Sequence, residues 1–410
     1  MALQMTSFVI ILPLFARRFT EFGAGVEALG ISEMAYALAS TLAAPVMGTL
    51  SDRLGRKPMV LVSLAAYALA FSGYLLAPSV EIIILLRGLA GALTAGLIPA
   101  VTSLAADLAP TDRRAQWISF ISSGASFGWI AGPIAGGVLY DRWGYSTALI
   151  TSILMATAAF LAAFLILPNH SLLTSSSPTS IARRTGHYQH KGINNFWCEI
   201  RRTLPNPLTS FILLLTIAFV VLFAWAFIEP VFMFYAYNDL GWSSSMLGLM
   251  MSTYGIALML GELGLGQLSD RLGRKPVIIA GLLFFSAQFI GLAFFNNSIF
   301  IAAGFIVGGL GNALYDPAIN ASILDITPEE HRGRILGMKS MAGSLGNILG
   351  PALVALLSST MNARVIFLIS VIVVLLTACF YLYNLIKEKR KGSRTGRSAK
   401  DKLVSNVELG

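Results

Sequence analysis

Residues 48–58 read GTLSDRLGRKP and residues 266–276 read GQLSDRLGRKP, two stretches that differ at one position in eleven and lie 218 residues apart. The same separation carries Gly91 to Gly309, Pro99 to Pro317, Asp107 to Asp325 and Pro110 to Pro328. It also carries Gly128 to Gly346 and Gly132–Pro133 to Gly350–Pro351. A constant offset held over so much of the chain means that one structural unit is written twice.

On either side of each copy lie apolar runs. Twelve can be read, at 2–20, 31–50, 58–77, 81–103, 115–139, 145–167, 209–237, 242–265, 277–295, 298–322, 334–358 and 363–386. Each is near the ~20 residues needed to cross the hydrocarbon of a bilayer. Lipid offers the backbone no hydrogen-bond partner, so runs of this length must be helices. Composition agrees: 56% of the 410 residues are apolar and 12% charged, about half the charged fraction of a soluble domain. The expectation is an all-α membrane protein of twelve transmembrane helices in two pseudo-symmetric six-helix bundles, 1–167 and 209–386. A cytoplasmic linker, 168–208, would join them, with a short interfacial helix at 192–202 inside it, and 387–410 would form a solvated basic tail.

The basic residues set the orientation. With the 48–58 loop on the cytoplasmic side, that face and the tail hold 24 Lys and Arg, Lys339 among them, against four on the opposite face. Arg87 alone falls within a span. So strong a bias puts both termini in the cytoplasm, and the short loops point to a bacterial cytoplasmic membrane. The net charge of +9 is therefore spread over loops and tail and forms no nucleic-acid surface. Two cysteines and four scattered histidines supply neither a disulfide framework nor a metal site. No GxxxxGK[ST] loop or nucleophile elbow is present, which argues against ATP binding and against an enzyme. Pro13 of span one aligns with Pro230 of span seven, and by that alignment span one lacks about nine residues at its start: either Met1 is not the true start or the first helix is short.

The GxLSDRxGRKP loop resembles the signature loop of the major facilitator superfamily, and the resemblance extends over all twelve spans. Gly124, Gly128, Gly132, Pro133, Gly136 and Gly137 are similar to the GxxxGPxxGG motif of that family's drug:proton antiporters, the multidrug and tetracycline exporters among them. The resemblance implies that Asp52, Arg53, Arg56 and Asp107 form a cytoplasmic latch of the outward-facing state, with Asp270, Arg271, Arg274 and Asp325 as its copy. Gly48 and Gly266 would end helices where a missing side chain permits close contact. The alternative is a static topology anchor. The span-five glycines recur every four residues and make one smooth stripe, serving either conformational change or tight packing alone. In the second half Val354 and Ala355 replace the last two glycines.

Ionisable groups inside a membrane are costly, so they are the leading site candidates. Arg87 and Gly91 resemble the family's span-four RxxxG motif, implicated in proton coupling; the other reading has Arg87 snorkelling to the outer surface from a depth of ~9 Å. Glu229, Glu262 and Asp316 are the candidate proton and substrate carboxylates, with Asn312 and Asn320 one turn either side of Asp316. A buried carboxylate is poised to trade a proton for a cation; the plainer reading is that one or two of these acids only tie neighbouring helices. Span one carries no acid after its start, and Glu33 is expected near the outer surface. Phe223 and Phe227 share a face of span seven and either line an apolar cavity or face lipid.

Together these features point to a monomeric secondary transporter without cofactor, driven by the proton gradient. Its partners would be a small-molecule substrate, protons and the bilayer. The leading expectation is efflux of amphipathic, drug-like compounds by alternating access. The other readings are a carrier of an anionic metabolite and a membrane sensor that moves nothing.

Overall fold

The computed structural model describes the backbone of residues 1–110, 113–167, 205, 207–265 and 268–407, and the side chains of all these except 114, 115, 118, 270 and 388–407. Gly266, most of 168–208 with the expected 192–202 helix, and the Asp270 side chain lie outside the described residues.

Every regular element among the described residues is helical. Span one is Ala2–Glu21, span two Val26–Leu54 and span three Arg56–Leu76. Span four comes in two pieces, Val80–Thr94 and Leu97–Leu108, broken ahead of Pro99. Proline lacks the N–H that would continue the ladder. Seven is Leu208–Asn238, eight Ser244–Leu265, nine Arg274–Phe294, ten Ser298–Asp325 and eleven Arg332–Leu357.

Among the described residues eleven helices are long and apolar enough to cross a membrane. One of them, Ser119–Ile166, has 48 residues, which at 1.5 Å per residue is more than twice the thickness of the hydrocarbon. It turns at Gly144, whose φ of 81° and ψ of 178° are open to glycine and strained for other residues. Spans five and six are therefore the two arms of this helix, and the count is twelve. Span twelve starts at Ala363, and its helix continues to Val407. The expected solvated tail is therefore backbone-continuous with the span.

Spans one to six pack into one bundle and seven to twelve into a second. The bundles meet chiefly along two seams, span five against span eight and span two against span eleven, with smaller contacts from span one to spans seven and eight. The glycine stripe governs how closely they meet. A Cβ on Gly128, Gly132 or Gly136 would collide with span one of the same bundle, at Met5, Val9 and Ile10. Gly137 points the other way, onto the Ser244 carbonyl of span eight, and Gly248 of span eight lies against the Pro133 carbonyl. One helix thus packs its own bundle with one face and the opposite bundle with another.

The duplicated loops are duplicated in structure. Gly55 and Gly273 both have positive φ, 100° and 87°, and end one helix where the next begins; Gly48, expected to end a helix at a close contact, lies inside Val26–Leu54 with nothing within 4 Å of where a Cβ would stand. Arg56 is paired with Asp107 and donates to the Ser103 carbonyl; Arg274 is paired with Asp325 and donates to the Ala321 carbonyl. Each pair joins two helices of a single bundle. Among the described residues Asp52, Arg53 and Arg271 make no ion pair.

Candidate functional site

The charged groups inside the spans fall into two clusters. The first lies around Arg87, which is only 1% exposed. Its guanidinium is paired with Glu33 of span two and stands 4.9 Å from the centroid of the Phe15 ring and 4.8 Å from that of Tyr36. Carboxylate and aromatic faces together stabilise a cation that has lost its water. Arg87 therefore does not snorkel. Glu33, expected at the outer surface, is folded inward: it sits two turns into span two, and its side chain turns onto span four. Glu229 of span seven is an electrostatic neighbour of both Arg87 and Glu33, which extends the cluster across the seam between the bundles.

The second cluster lines a cavity of about 630 Å³ in the second bundle. Its apolar wall comes from spans seven, eight, ten and eleven, with Leu222, Leu258, Ile319 and Leu336. Its polar wall holds Glu262, Asn312, Asp316, Asn320 and Lys339. The Lys339 ammonium donates to Asp316 Oδ1 at 2.6 Å and to Asn320 Oδ1 at 2.7 Å, and Asn320 Nδ2 donates to Asp316 Oδ2 at 3.2 Å. Asp316 and Asn320 share a face because they are four residues apart on a helix. Asn312, one turn back, donates to the Tyr254 hydroxyl at 2.7 Å, and Tyr254 stacks on Trp225.

Lys339 corrects the count of loop cations. Counted there with the cytoplasmic loops, it lies seven residues into span eleven, with its side chain 16% exposed. Phe223 and Phe227 stack on each other at 5.5 Å but do not line this cavity; the backbone around them packs against Gly346 and Gly350 of span eleven.

The cavity reaches Leu324 and Leu336, beside the ends of spans ten and eleven that carry the basic loops. On the opposite face the bundles are tied together. Asp141, at the end of span five, accepts the backbone N–H groups of Ser244 and Ser245 at the start of span eight. Arg17 donates to the Trp242 carbonyl at 3.3 Å and lies over the Tyr237 ring, and the Tyr237 hydroxyl donates to the Pro13 carbonyl. The molecule is thus closed at one end and open to a chamber from the other.

The family model described as Major Facilitator Superfamily matches residues 1–228 and 214–408. The chain belongs to the major facilitator superfamily.

Facilitator-superfamily relatives among curated proteins include a multi-drug resistance efflux pump PmrA homolog of Lactococcus lactis. It is 28% identical over 390 residues, 93% of this chain and 91% of the relative. The multidrug resistance protein MdtG of Klebsiella pneumoniae is 27% identical over 88% of this chain and 84% of its own. Among solved superfamily structures, a bacterial homolog of the human lysosomal transporter Spinster matches with a TM-score of 0.71 at 16% identity, over 93% of each chain. The human organic anion transporter MFSD10 matches with a TM-score of 0.63 at 20% identity, over 93% of this chain and 96% of the other. At these identities the solved structures speak for the fold alone. The chain is a multi-pass membrane transporter and not an enzyme.

Of the residues singled out in the sequence of this superfamily member, Asp316, Glu262, Asn312 and Asn320 come together in one chamber, while Arg87 and Glu229 belong to the other cluster. Glu33, Lys339, Tyr254 and Asp141 were missed. Lys339 was detectable, because it stands within an apolar run at a depth of ~10 Å.

Proposed function

We propose that this protein is a proton-coupled exporter of small amphipathic compounds. It would work as a monomer in a bacterial cytoplasmic membrane, with both termini and the basic loops on the cytoplasmic side. The observation that carries the reading is the chamber around Asp316, Glu262 and Lys339, which opens toward the basic face while Asp141 and Arg17 hold the other face shut. With the basic face inside, this is a carrier ready to load from the cytoplasm. Relatives named as multidrug efflux proteins support the direction of transport and the breadth of substrate.

In this reading the carboxylates exchange protons for substrate as the bundles rock about the two seams. Glu229 sits where that motion would alter its distance to Arg87 and Glu33, and is thus placed to couple protonation to movement. Arg56–Asp107 and Arg274–Asp325 each brace one bundle, so each moves as a unit. Asp52 and Arg53 are the members of the loop left to meet the other bundle when the cytoplasmic face closes.

The test uses proteoliposomes with an imposed pH gradient, a fluorescent pH reporter, and cationic, neutral and anionic amphiphiles added in turn. Discharge of the gradient by an amphiphile, lost in Glu229→Gln and Asp316→Asn, supports the proposal. Accumulation without proton movement, or no transport of any class, overturns it.

A further inference from the structure

The chamber places one positive and two negative side chains together. Lys339 is bonded to Asp316 and Asn320, and Glu262 stands across from them on span eight. A lysine ammonium has three hydrogens, and two are used by Asp316 and Asn320. The third remains for the chamber that the side chain lines. Spans ten and eleven touch little elsewhere, so the Lys339–Asp316 bond bridges a gap and is not enclosed by packing.

This arrangement selects by charge. A molecule with only a cationic group must displace Lys339 from Asp316 or settle on Glu262 beside a fixed ammonium. One with only an anionic group reaches Lys339 between two carboxylates. In a partly dehydrated chamber like charges at such range repel appreciably. A molecule carrying both an amine and a carboxylate avoids both penalties: its carboxylate takes the third Lys339 hydrogen, and its amine lies against Asp316 and Glu262. The apolar wall of Leu222, Leu258, Ile319 and Leu336 takes the body of the molecule.

We infer that the chamber takes amphoteric amphiphiles, molecules with an apolar body bearing both an amine and a carboxylate, and that Lys339 is the group that binds their carboxylate. The inference rests on the proposed role of this cavity as the substrate chamber, and goes further by naming the substrate class and the residue that selects it.

The test measures equilibrium binding to the purified full chain in detergent. The probes are three radiolabelled analogues on one aromatic scaffold: amine only, carboxylate only, and both. The amphoteric analogue is expected to bind about tenfold or more tightly than either of the others, the scale of one hydrogen bond to a charged group. In Lys339→Gln its affinity should fall to that of the amine analogue, whose own affinity holds or rises as Asp316 is freed. Lys339→Arg should keep the preference, and thermal unfolding of each variant checks that it is folded. Equal binding of all three analogues by the native chain overturns the inference, as does equal weakening of all three in Lys339→Gln or absence of saturable binding. Proton-driven transport of the same analogues separates the two claims. Preference in binding without transport removes the efflux reading and leaves the substrate class standing; transport without preference does the reverse.

Discussion

Asp141 of the first bundle and Ser245 of the second are joined by a 2.7 Å hydrogen bond from the Ser245 backbone N–H to Oδ2, while Oδ1 accepts from the neighbouring Ser244 N–H. A carboxylate at the start of span eight satisfies amides that no helical turn can reach and meets the positive end of the helix dipole. In Asp141→Ala the closed face should open more often. Hydrogen bonds to charged groups contribute about 1.5–3 kcal/mol, so the open population should rise about tenfold or more. The check is the labelling rate of a cysteine placed at Val26, in the pocket on that face, by a membrane-impermeant maleimide, with Cys198 and Cys379 replaced by serine. An unchanged rate would mean that Asp141 does not hold the face shut.

The two faces of span five should respond differently to a methyl group. Gly137→Ala drives a Cβ into the Ser244 carbonyl across the seam, and Gly136→Ala drives one into Ile10 within the bundle. Overpacking of this kind costs about 1–3 kcal/mol. Gly136→Ala should lower the unfolding temperature. Gly137→Ala should shift the bundles apart and cut transport with little change in unfolding. Gly124→Ala, whose nearest neighbour would be 3.3 Å away, should be close to native in both measurements.

Arg87 and Glu33 should behave as a pair. Breaking a buried ion pair from one side costs about 3–5 kcal/mol, because the other charge is left without a partner. Arg87→Gln and Glu33→Gln should each reduce the yield of folded protein. The double variant should be more stable than the sum of the two predicts, yet fail to couple protons. Thermal unfolding of the four forms supplies the cycle, and additive effects would show that the pair does not act as a unit.

Arg56→Ala and Arg274→Ala should each cost less than about 1 kcal/mol, because both ion pairs are partly open to solvent. Exchanging the charges in Arg56→Asp with Asp107→Arg should restore most of any lost transport. Failure of the exchange would locate the importance of Arg56 in its bond to the Ser103 carbonyl, which aspartate cannot make.

The fold was legible in the sequence because two strong signals coincided: apolar runs of membrane-spanning length and a repeat with one offset. The Gly144 turn also fell where two runs abutted, between 139 and 145. The site was legible only in part. Asp316 and Asn320 could be placed on one face because a helix fixes residues four apart. Nothing comparable links Lys339 to Asp316, or Glu33 to Arg87, since each pair lies on different helices and depends on how they are rotated and stacked. For that reason Glu33 was assigned by its position near a helix start and Lys339 by its closeness to a basic loop. In both cases the direction of the side chain decided, and a linear reading does not carry it. The stacked Phe223 and Phe227 make the same point: they share a face, but neither ring lines the cavity.

The 218-residue offset has a consequence for ancestry. Projected onto the other copy, Arg87 falls on Phe305 and Glu33 on Met251, while Asp316 falls on Ile98 and Lys339 on Ile121. The loops kept their twin arginine pairs, yet neither charged cluster has a counterpart. The duplicated halves share a skeleton and have divided the labour. One holds the buried Arg87–Glu33 pair, which Glu229 of the other half adjoins, and the other holds the cavity with Asp316 and Lys339, so a chain assembled from two copies of either half would keep the twin loops and lose one of the two clusters.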